Sequence, residues 1–249
     1  MNSPIILLQR AFSTSITKQS LIFGVIYYIM AFAVIAGLVA VAALIGFGGF
    51  LALAAINITM LNLIAILVAI IITIPTIIAI QAFFDILITE GYYQIIHDGR
   101  HDSEKIKKAV FDRIIPYIIF MIILGLIYIF IFGFFTIPLF LLFQETGLIA
   151  GVILTIIVGM LIAPIMLVAQ PFVILENYSG IEATIKAMQL GMKNYLFNGA
   201  CMVVILIVSI ILTIASLIPV LGLLISFYMG ILIAIYIIEI YQENKARAR

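Results

Sequence analysis

The chain has 249 residues, of which 66% are hydrophobic and only 9% are charged. Soluble domains carry about 25% charged residues, so this composition excludes a soluble fold and indicates an all-α integral membrane protein. The formal net charge of +1 excludes a basic field that would attract nucleic acid. The single cysteine, Cys201, cannot form an internal disulfide, and we expect a free core thiol.

The basic residues predict the topology. They form four clusters separated by apolar runs, each run with room for two crossings of about 20 residues. Because Lys and Arg near span ends stay in the cytoplasm, the pattern predicts six transmembrane helices arranged as three hairpins, with both termini cytoplasmic. We expect a plasma membrane location, the inner membrane in a prokaryote. The clusters are Arg10 and Lys18; Arg100, Lys105, Lys107, Lys108 and Arg113; Lys186 and Lys193; Lys245, Arg247 and Arg249.

A short amphipathic helix is predicted at the N-terminus. Ser3 and Pro4 suit its N-cap and first turn, and Arg10 lies on its polar face. Its apolar stripe is formed by Ile5, Leu8, Phe12 and Ile16. The first hairpin follows, with spans near 21–45 and 61–86. The glycine-rich stretch Gly46–Met60 is predicted to be the external turn between them, and its re-entry into the membrane is left open.

The second unit repeats this order. Its amphipathic segment has Ser103 as the predicted cap. Ile106 and Val110 face inward, and Lys107 and Lys108 face outward. Its spans are predicted near 114–140 and 148–174, and Glu145 marks the outer turn.

The third unit starts with the clearest amphipathic helix. Ser179 and Glu182 form a capping box, and the turn of the following hairpin contains Pro219, between spans near 196–217 and 220–241. The apolar stripe of the helix is Ile181, Ile185, Met188 and Met192, and its polar stripe is Glu182, Lys186, Gln189 and Lys193. All three amphipathic helices are predicted to lie flat at the cytoplasmic surface. Their basic faces point toward headgroups and carry Arg10, Lys107, Lys108, Lys186 and Lys193.

Internal spacing indicates one membrane domain, 1–249, with pseudo-repeats 1–99, 100–178 and 179–249. The step from Ser3 to Arg10-Ala11 equals the step from Ser179 to Lys186-Ala187. The second spans of the first two units share a P-x5-Q-x-F pattern, which contains Gln81 and Gln170. We therefore expect these two amides to lie at the same depth and to meet.

Residues 171–195 carry a resemblance to a known family. The matching pieces are Pro171-Phe172-Val173-Ile174-Leu175-Glu176-Asn177, Gly180-Ile181-Glu182-Ala183 and Lys193-Asn194-Tyr195. This stretch resembles the membrane domain attached to some glycerophosphodiester phosphodiesterases, and multi-pass stand-alone relatives of unknown function. It departs at Ala187, where the family often has Ser. No phosphodiesterase domain is present, so the resemblance implies a fold and no chemistry.

Five polar residues lie within or at the ends of the predicted spans: Gln81, Asp85, Gln170, Glu176 and Glu239. Buried amides in lipid usually bond across helices, and ionisable groups inside membranes suggest a functional site. A structural role is favoured for all five. Glu176 and Glu239 are expected in the headgroup region, and Asp85 is expected to pair with a basic residue of a surface helix. A substrate or ion path stays the alternative for Gln81, Asp85 and Gln170.

The motifs do not indicate catalysis. No nucleophile, metal-protease, P-loop or dinucleotide fingerprint occurs. The two His and two Asp within 97–102 are interrupted by Asp98-Gly99, which breaks the helix that would align them as metal ligands. No metal and no cofactor is therefore predicted.

The leading hypothesis is a non-enzymatic multi-pass membrane protein that organises lipid or a cytoplasmic partner through its basic interfacial helices. The alternative is a small transporter or channel. A lipid-active membrane enzyme comes third, because only the family resemblance suggests it. The expected partners are membrane lipids, with a cytoplasmic protein or a second copy of the chain left open, and no nucleic acid.

Overall fold

The structure is a computed structural model that describes residues 2–55, 59–176, 178, 180–216 and 221–248. Side chains are described at these residues except 35, 38–74, 221 and 223. The described residues are 93% helical and contain no strand, which confirms the all-α prediction. The helices are α1 (Pro4–Ser15), α2 (Lys18–Ala55), α3 (Thr59–Asp98), α4 (Ser103–Met166), α5 (Ala169–Leu175), α6 (Gly180–Lys193), α7 (Tyr195–Ala215) and α8 (Leu221–Ala248).

Three described helical stretches are long and apolar enough to cross a bilayer: Ser103–Leu175, Tyr195–Ala215 and Leu224–Ala248. A fourth candidate is the pair Pro4–Ser15 and Lys18–Val34, if the two count as one span bent by 78°. Helices of this kind fit a membrane protein, because a helix pairs its backbone polar groups without water.

Helix α4 reverses direction at Gln144. As a straight rod its 64 residues would extend roughly 96 Å, about three times a hydrocarbon core of about 30 Å. The backbone leaves the helical region at Gln144, with φ 52° and ψ −128°. A Cβ added at Gly147 would lie 1.8 Å from the carbonyl oxygen of Leu139, and one at Gly151 would lie 2.6 Å from the Cα of Thr136. The two arms of α4 therefore pack side by side next to Gln144.

The first two long helices extend further than the sequence predicted. Much of the predicted turn Gly46–Met60 is helical, because α2 continues to Ala55 and α3 starts at Thr59. In apolar surroundings a helix pairs backbone groups that a coil would leave unsatisfied, which outweighs the poor helix propensity of glycine. Residues 56–58 of that turn lie outside the described residues. So does Pro219 of the predicted third turn.

Two of the three predicted amphipathic helices, α1 and α6, are separate elements. The middle one is not, because α4 begins at Ser103 and stays helical until Gln144. Its cap was also predicted wrongly. Asp102 is the N-cap, and its carboxylate accepts bonds from the backbone N–H groups of Glu104 and Lys105 at 3.0 and 3.4 Å.

The N-cap of α1 follows the sequence prediction. The Ser3 hydroxyl accepts a bond from the backbone N–H of Ile6 at 3.4 Å, and Pro4 occupies the first turn. The predicted capping box of α6 depends on Ser179, which lies outside the described residues.

The starts of α1, α4 and α6 bury residues at equivalent positions. Counted from Ser3, Asp102 and Ser179, the fourth and eighth following residues are buried in each case. These residues are Leu7 and Ala11, Ile106 and Val110, and Ala183 and Ala187. Each helix start therefore turns the same face toward the bundle.

The two ends of the chain meet in the bundle, where α1 packs against α8. The hydroxyls of Ser15 and Tyr228 lie 2.7 Å apart, and the Tyr236 hydroxyl donates to the carbonyl of Pro4 at 3.1 Å. Leu7 and Ala11 share a buried apolar cluster with Ile235 and other residues of α8.

We predict that Gly151→Ala destabilises the protein. Its Cβ would collide with the backbone of Thr136, and overpacking of this kind lowers the free energy of unfolding by about 1–3 kcal/mol. The measurement is the midpoint of thermal unfolding in detergent.

The matched control is Gly159→Ala on the same arm, where the nearest atom to a Cβ is Tyr128 Cε1 at 3.8 Å. Alanine gains roughly 0.5–1 kcal/mol over glycine within a helix, so the control midpoint should stay or rise. Equal midpoints for the two variants would contradict the close packing of the α4 arms.

Candidate functional site

Polar side chains from distant parts of the chain meet at one end of the bundle, which we call the polar end. It comprises helices α1 and α6, the starts of α4 and α7, and the C-terminal ends of α3, α5 and α8. Glu145 lies beside the α4 reversal, away from it. The polar end is the candidate site, because charged groups near an apolar bundle are where headgroups and partners can be contacted.

Glu176 is the main junction of the polar end. It follows α5, and its carboxylate accepts hydrogen bonds from the Tyr241 hydroxyl and the Lys245 ammonium of α8. The Arg113 guanidinium of α4 donates to its backbone carbonyl. The sequence placed Glu176 among lipid headgroups. The structure adds that the carboxylate is bound by protein donors and joins three helices.

The environment of Glu176 favours its ionised form. Burial raises the pKa of the carboxyl, but the hydrogen bonds from Lys245 and Tyr241, with the charges of Lys245 and Arg113, outweigh it. The net effect is a pKa below the ordinary value of 4.5. Glu176 is therefore a carboxylate at neutral pH.

A second junction ties the N-terminus to α8. The Glu243 carboxylate accepts bonds from the backbone N–H and side-chain amide of Asn2 at 2.9 and 2.8 Å, and from Arg247 Nε at 3.1 Å. Arg247 Nη2 in turn donates to the carbonyl of Asn2 at 2.8 Å. This closed set of bonds holds the start of α1 on the last turns of α8.

Buried amides join α7 to α8 beneath these charges. Asn244 Nδ2 donates to Asn198 Oδ1 at 2.7 Å, and both side chains are fully buried. Asn198 Nδ2 donates to the carbonyl of Gly191 in α6 at 3.2 Å. The sequence analysis missed both asparagines, although two amides at the ends of apolar spans are the kind of signal that could have revealed them.

The predicted headgroup-facing residues all lie at the polar end, and four of them have protein partners. Lys107 pairs with Glu104 at 2.9 Å. Lys193 donates to the Ala248 carbonyl at 2.9 Å. Arg10 donates to Asn2 Oδ1 at 3.5 Å. The Arg10, Lys107, Lys108 and Lys193 side chains are exposed, so they stay accessible to lipid.

Lys186 has the most developed surroundings of these cations. Its ammonium lies 2.8 Å from the Glu182 carboxylate and 3.8 Å above the centre of the Tyr178 ring. The hydrogen bond to Glu182 raises the pKa of Lys186, so it stays charged at neutral pH.

Helices α1 and α6 expose large apolar side chains and, apart from Leu7 of α1, bury small ones. Ala11, Ala183, Ala187 and Gly191 pack on the bundle. The apolar stripes that the sequence predicted point away from it, and six of their members are more than half exposed: Ile5, Phe12, Ile16, Ile181, Ile185 and Met192. The sequence analysis missed the face of small residues that packs on the bundle. The four-residue spacing of Ala183, Ala187 and Gly191 could have indicated it.

Gln81 and Gln170 do not form the predicted pair. Gln81 is exposed, Gln170 is half-buried, and no hydrogen bond joins these two described residues. They also differ in depth, because α3 continues for more than four turns beyond Gln81, whereas α5 ends little more than one turn beyond Gln170. The P-x5-Q-x-F echo therefore does not place the amides at equivalent positions.

Asp85 and Glu239 also differ from expectation. Asp85 accepts a bond from the Tyr117 hydroxyl at 2.8 Å, and among the described residues this phenol takes the place of the predicted basic partner. Glu239 was expected among headgroups, yet it is only 7% exposed. It lies within electrostatic reach of Arg10 and His97, so it belongs to the interior of the polar end.

Three cavities adjoin these residues. A polar cavity of about 350 Å³ is lined by residues that include Glu90, Lys105, Lys108, Asp112 and Arg113. A small cavity of about 210 Å³ reaches Gln170 and Thr89, and neither Gln81 nor Asp85 lines it. An apolar groove of about 510 Å³ lies between α2, α3 and α4, and we call it the α2–α4 groove. Its apolar wall includes Ile26, Met30, Leu87, Ile106, Phe111 and Ile114, and its polar lining is Tyr27, His101, Ser103 and Lys107.

Comparisons with known proteins add no identification. A scan against protein-family models, a search of curated proteins and a search of solved structures each found no match. Among the residues that the structure describes, no three or more His, Cys, Asp or Glu residues are placed to hold a metal ion.

We predict that Glu176→Gln lowers stability at neutral pH and that this loss disappears in acid. A carboxylate whose folded pKa lies below 4.5 contributes stability fully above that pH. The contribution is lost as the pH falls through the folded pKa. The difference in thermal midpoint between wild type and Glu176→Gln should thus be positive at neutral pH and shrink below pH 4.5.

Glu182→Gln is the matched control, because Glu182 forms an exposed pair with Lys186 within one helix, and such pairs contribute little. A difference for Glu176→Gln that persists unchanged in acid would show that the carboxylate charge is not what joins the helices.

Proposed function

We propose that this chain is a non-enzymatic, six-span membrane protein that organises lipid at the cytoplasmic face through interfacial helices. One observation carries the proposal. Helix α6 packs on the bundle through small side chains and α1 through Leu7, Ala11 and Ser15, and both present large apolar side chains outward, next to charged ones. A helix with exposed apolar and basic faces binds at the boundary between headgroups and acyl chains.

The six-span arrangement is supported by helix lengths and by the α4 reversal. A crossing needs about 20 residues, and α2, α3, α7 and α8 have 38, 40, 21 and 28. The two arms of α4 on either side of Gln144 provide the remaining pair. The polar end then lies in the cytoplasm, because it holds the Lys and Arg clusters.

The three-repeat arrangement is supported by the equivalent buried positions at the starts of α1, α4 and α6. In the first two repeats the helix start packs beside a long helix of another repeat. Asp102 lies beside the end of α3, and its backbone N–H donates to Gln94 Oε1 at 2.8 Å. Pro4 lies on α8 in the same way.

The alternatives receive less support. A transport path would have to link Gln81, Asp85 and Gln170, but Gln81 is exposed and the cavity at Gln170 includes neither of the others. A lipid-active enzyme rests on the family resemblance alone. A cytoplasmic protein or a second copy of the chain could dock on the polar end, and no contact argues for either.

Topology is the first test. We predict that a cysteine at Ser103 is cytoplasmic and one at Glu145 is external, both in a Cys201→Ala background. An impermeant thiol reagent added to intact cells should label the Glu145 variant, and the Ser103 variant only after lysis. Labelling at Ser103 in intact cells, without labelling at Glu145, would overturn the six-span proposal.

The second test places α6 in the interface. We predict that an environment-sensitive fluorophore at Ile185→Cys, in the full chain in anionic nanodiscs, is quenched by lipid-attached spin labels. A fluorophore at Gln189→Cys on the polar stripe is the control and should be quenched by aqueous iodide instead. Lys186→Glu with Lys193→Glu should reduce the lipid quenching at Ile185, because each basic residue contributes up to about 1 kcal/mol of attraction to anionic lipid.

Lys186→Arg with Lys193→Arg keeps both charges and should leave the quenching unchanged. Equal iodide quenching at the Ile185 and Gln189 positions would show that α6 does not lie in the interface. That result would remove the observation on which the proposed function depends.

A further inference from the structure

The α2–α4 groove opens on the outside of the bundle. Ile26 and Met30 of α2 are 47% and 40% exposed, and Phe111 of α4 is 80% exposed. A cavity of about 510 Å³ is within the usual range for small-molecule sites. For a chain within a bilayer this groove faces acyl chains, so lipid reaches it directly.

The length of the groove matches one leaflet. Its wall on α4 runs from Ser103 to Ile114, which is roughly 16 Å at the rise of an α-helix. Half of a hydrocarbon core of about 30 Å is about 15 Å. An extended acyl chain in one leaflet therefore has the length of this wall.

Apart from the phenol of Tyr27, the polar lining lies at one end. His101 and Ser103 belong to the junction of α3 and α4, and Lys107 lies one turn further along. The other end is formed by apolar side chains such as Met30 and Ile114. This order, polar at the headgroup level and apolar below it, is that of a phospholipid.

His101 supplies an unpartnered polar atom at this end. Its Nδ1 is buried and has no hydrogen-bond partner, and its ring lies 5.2 Å from that of Phe23, which also lines the groove. Buried polar atoms without a partner are rare in folded proteins. Because this atom has almost no accessible surface, a phosphate oxygen would accept a bond from an Nδ1–H once the ring turns toward the groove that it lines.

Lys107 supplies the charge. Its ammonium is paired with Glu104 at 2.9 Å, but both side chains are largely exposed, and exposed ion pairs of this kind are weak. The neighbouring Lys108 lines the separate polar cavity instead. A phosphate at the groove can therefore recruit Lys107 without disturbing a buried contact.

We propose that the α2–α4 groove binds one glycerophospholipid, with an acyl chain along the apolar wall and the phosphate at His101, Ser103 and Lys107. This inference deepens the proposed function, because it names the lipid class and a defined site. It rests on the proposed function only in placing the chain in a bilayer.

The test uses the full chain in nanodiscs that contain a phospholipid with a diazirine in one acyl chain. After irradiation, adducts should concentrate on peptides that contain Met30, Leu87 or Ile114. Unlabelled phospholipid should compete. Diacylglycerol with the same chains should compete roughly tenfold less, because it lacks the phosphate and its charge-assisted hydrogen bonds.

Two pairs of variants sharpen the result. Ile26→Trp fills the groove and should reduce the adducts several-fold. Ile22→Trp, one turn earlier and 41% exposed, should not reduce them. Lys107→Ala should weaken competition by phospholipid, and Lys108→Ala should leave it unchanged. His101→Ala should also weaken competition by phospholipid, and this variant does not require a Trp to fit in the groove.

Adducts spread evenly over the lipid-facing helices would overturn the proposal, as would equal labelling of the two Trp variants or equal competition by diacylglycerol. The quenching experiment on α6 is independent of the groove. Loss of groove labelling with an interfacial α6 would refute this site alone, whereas an α6 exposed to water would refute the proposed function.

Discussion

The placement of charge is the constraint on which this structure depends. In a chain that is 66% hydrophobic, ionised side chains are stable only where water, headgroups or polar partners surround them, so the helices share one polar end. Contacts between distant parts of the sequence concentrate there. Glu176 joins α5 to Lys245 of α8 and to Arg113 of α4, and Glu243 joins α8 to Asn2.

The apolar surroundings also explain why small residues lie at helix contacts and large apolar residues face outward. Acyl chains are as apolar as large hydrophobic side chains, so moving such a side chain from lipid into a helix contact gains little free energy. Close packing of the helices therefore depends on small residues. Gly151 and Gly147 let the arms of α4 approach, and Ala183 and Ala187 let α6 lie on the bundle. Large side chains such as Ile185 are then free to face outward, which is what an interfacial helix requires.

Composition and periodicity were enough to predict the helical class and the starts of α1 and α6. They did not predict partners. Glu176 and Glu239 resemble headgroup residues in sequence, but the side chains that bind Glu176 and the helices that bury Glu239 are far away along the chain. The sequence analysis expected a basic partner for Asp85, but its partner is the Tyr117 hydroxyl. That partner was missed because a tyrosine within a hydrophobic run cannot be told from its apolar neighbours by composition. Helix ends near Gly46 were also missed, since lipid favours continued helix over turns.

The central claim is that the first and last helices meet at the polar end. The most direct measurement is intramolecular cross-linking of Asn2→Cys with Glu243→Cys in membranes, with Cys201→Ala and a short bifunctional thiol reagent. The structure, in which Asn2 Nδ2 lies 2.8 Å from Glu243 Oε2, predicts a cross-linked monomer. It predicts none for Asn2→Cys with Glu145→Cys. Absence of the first product, or equal yields of both, would contradict the contact between the start of α1 and the end of α8.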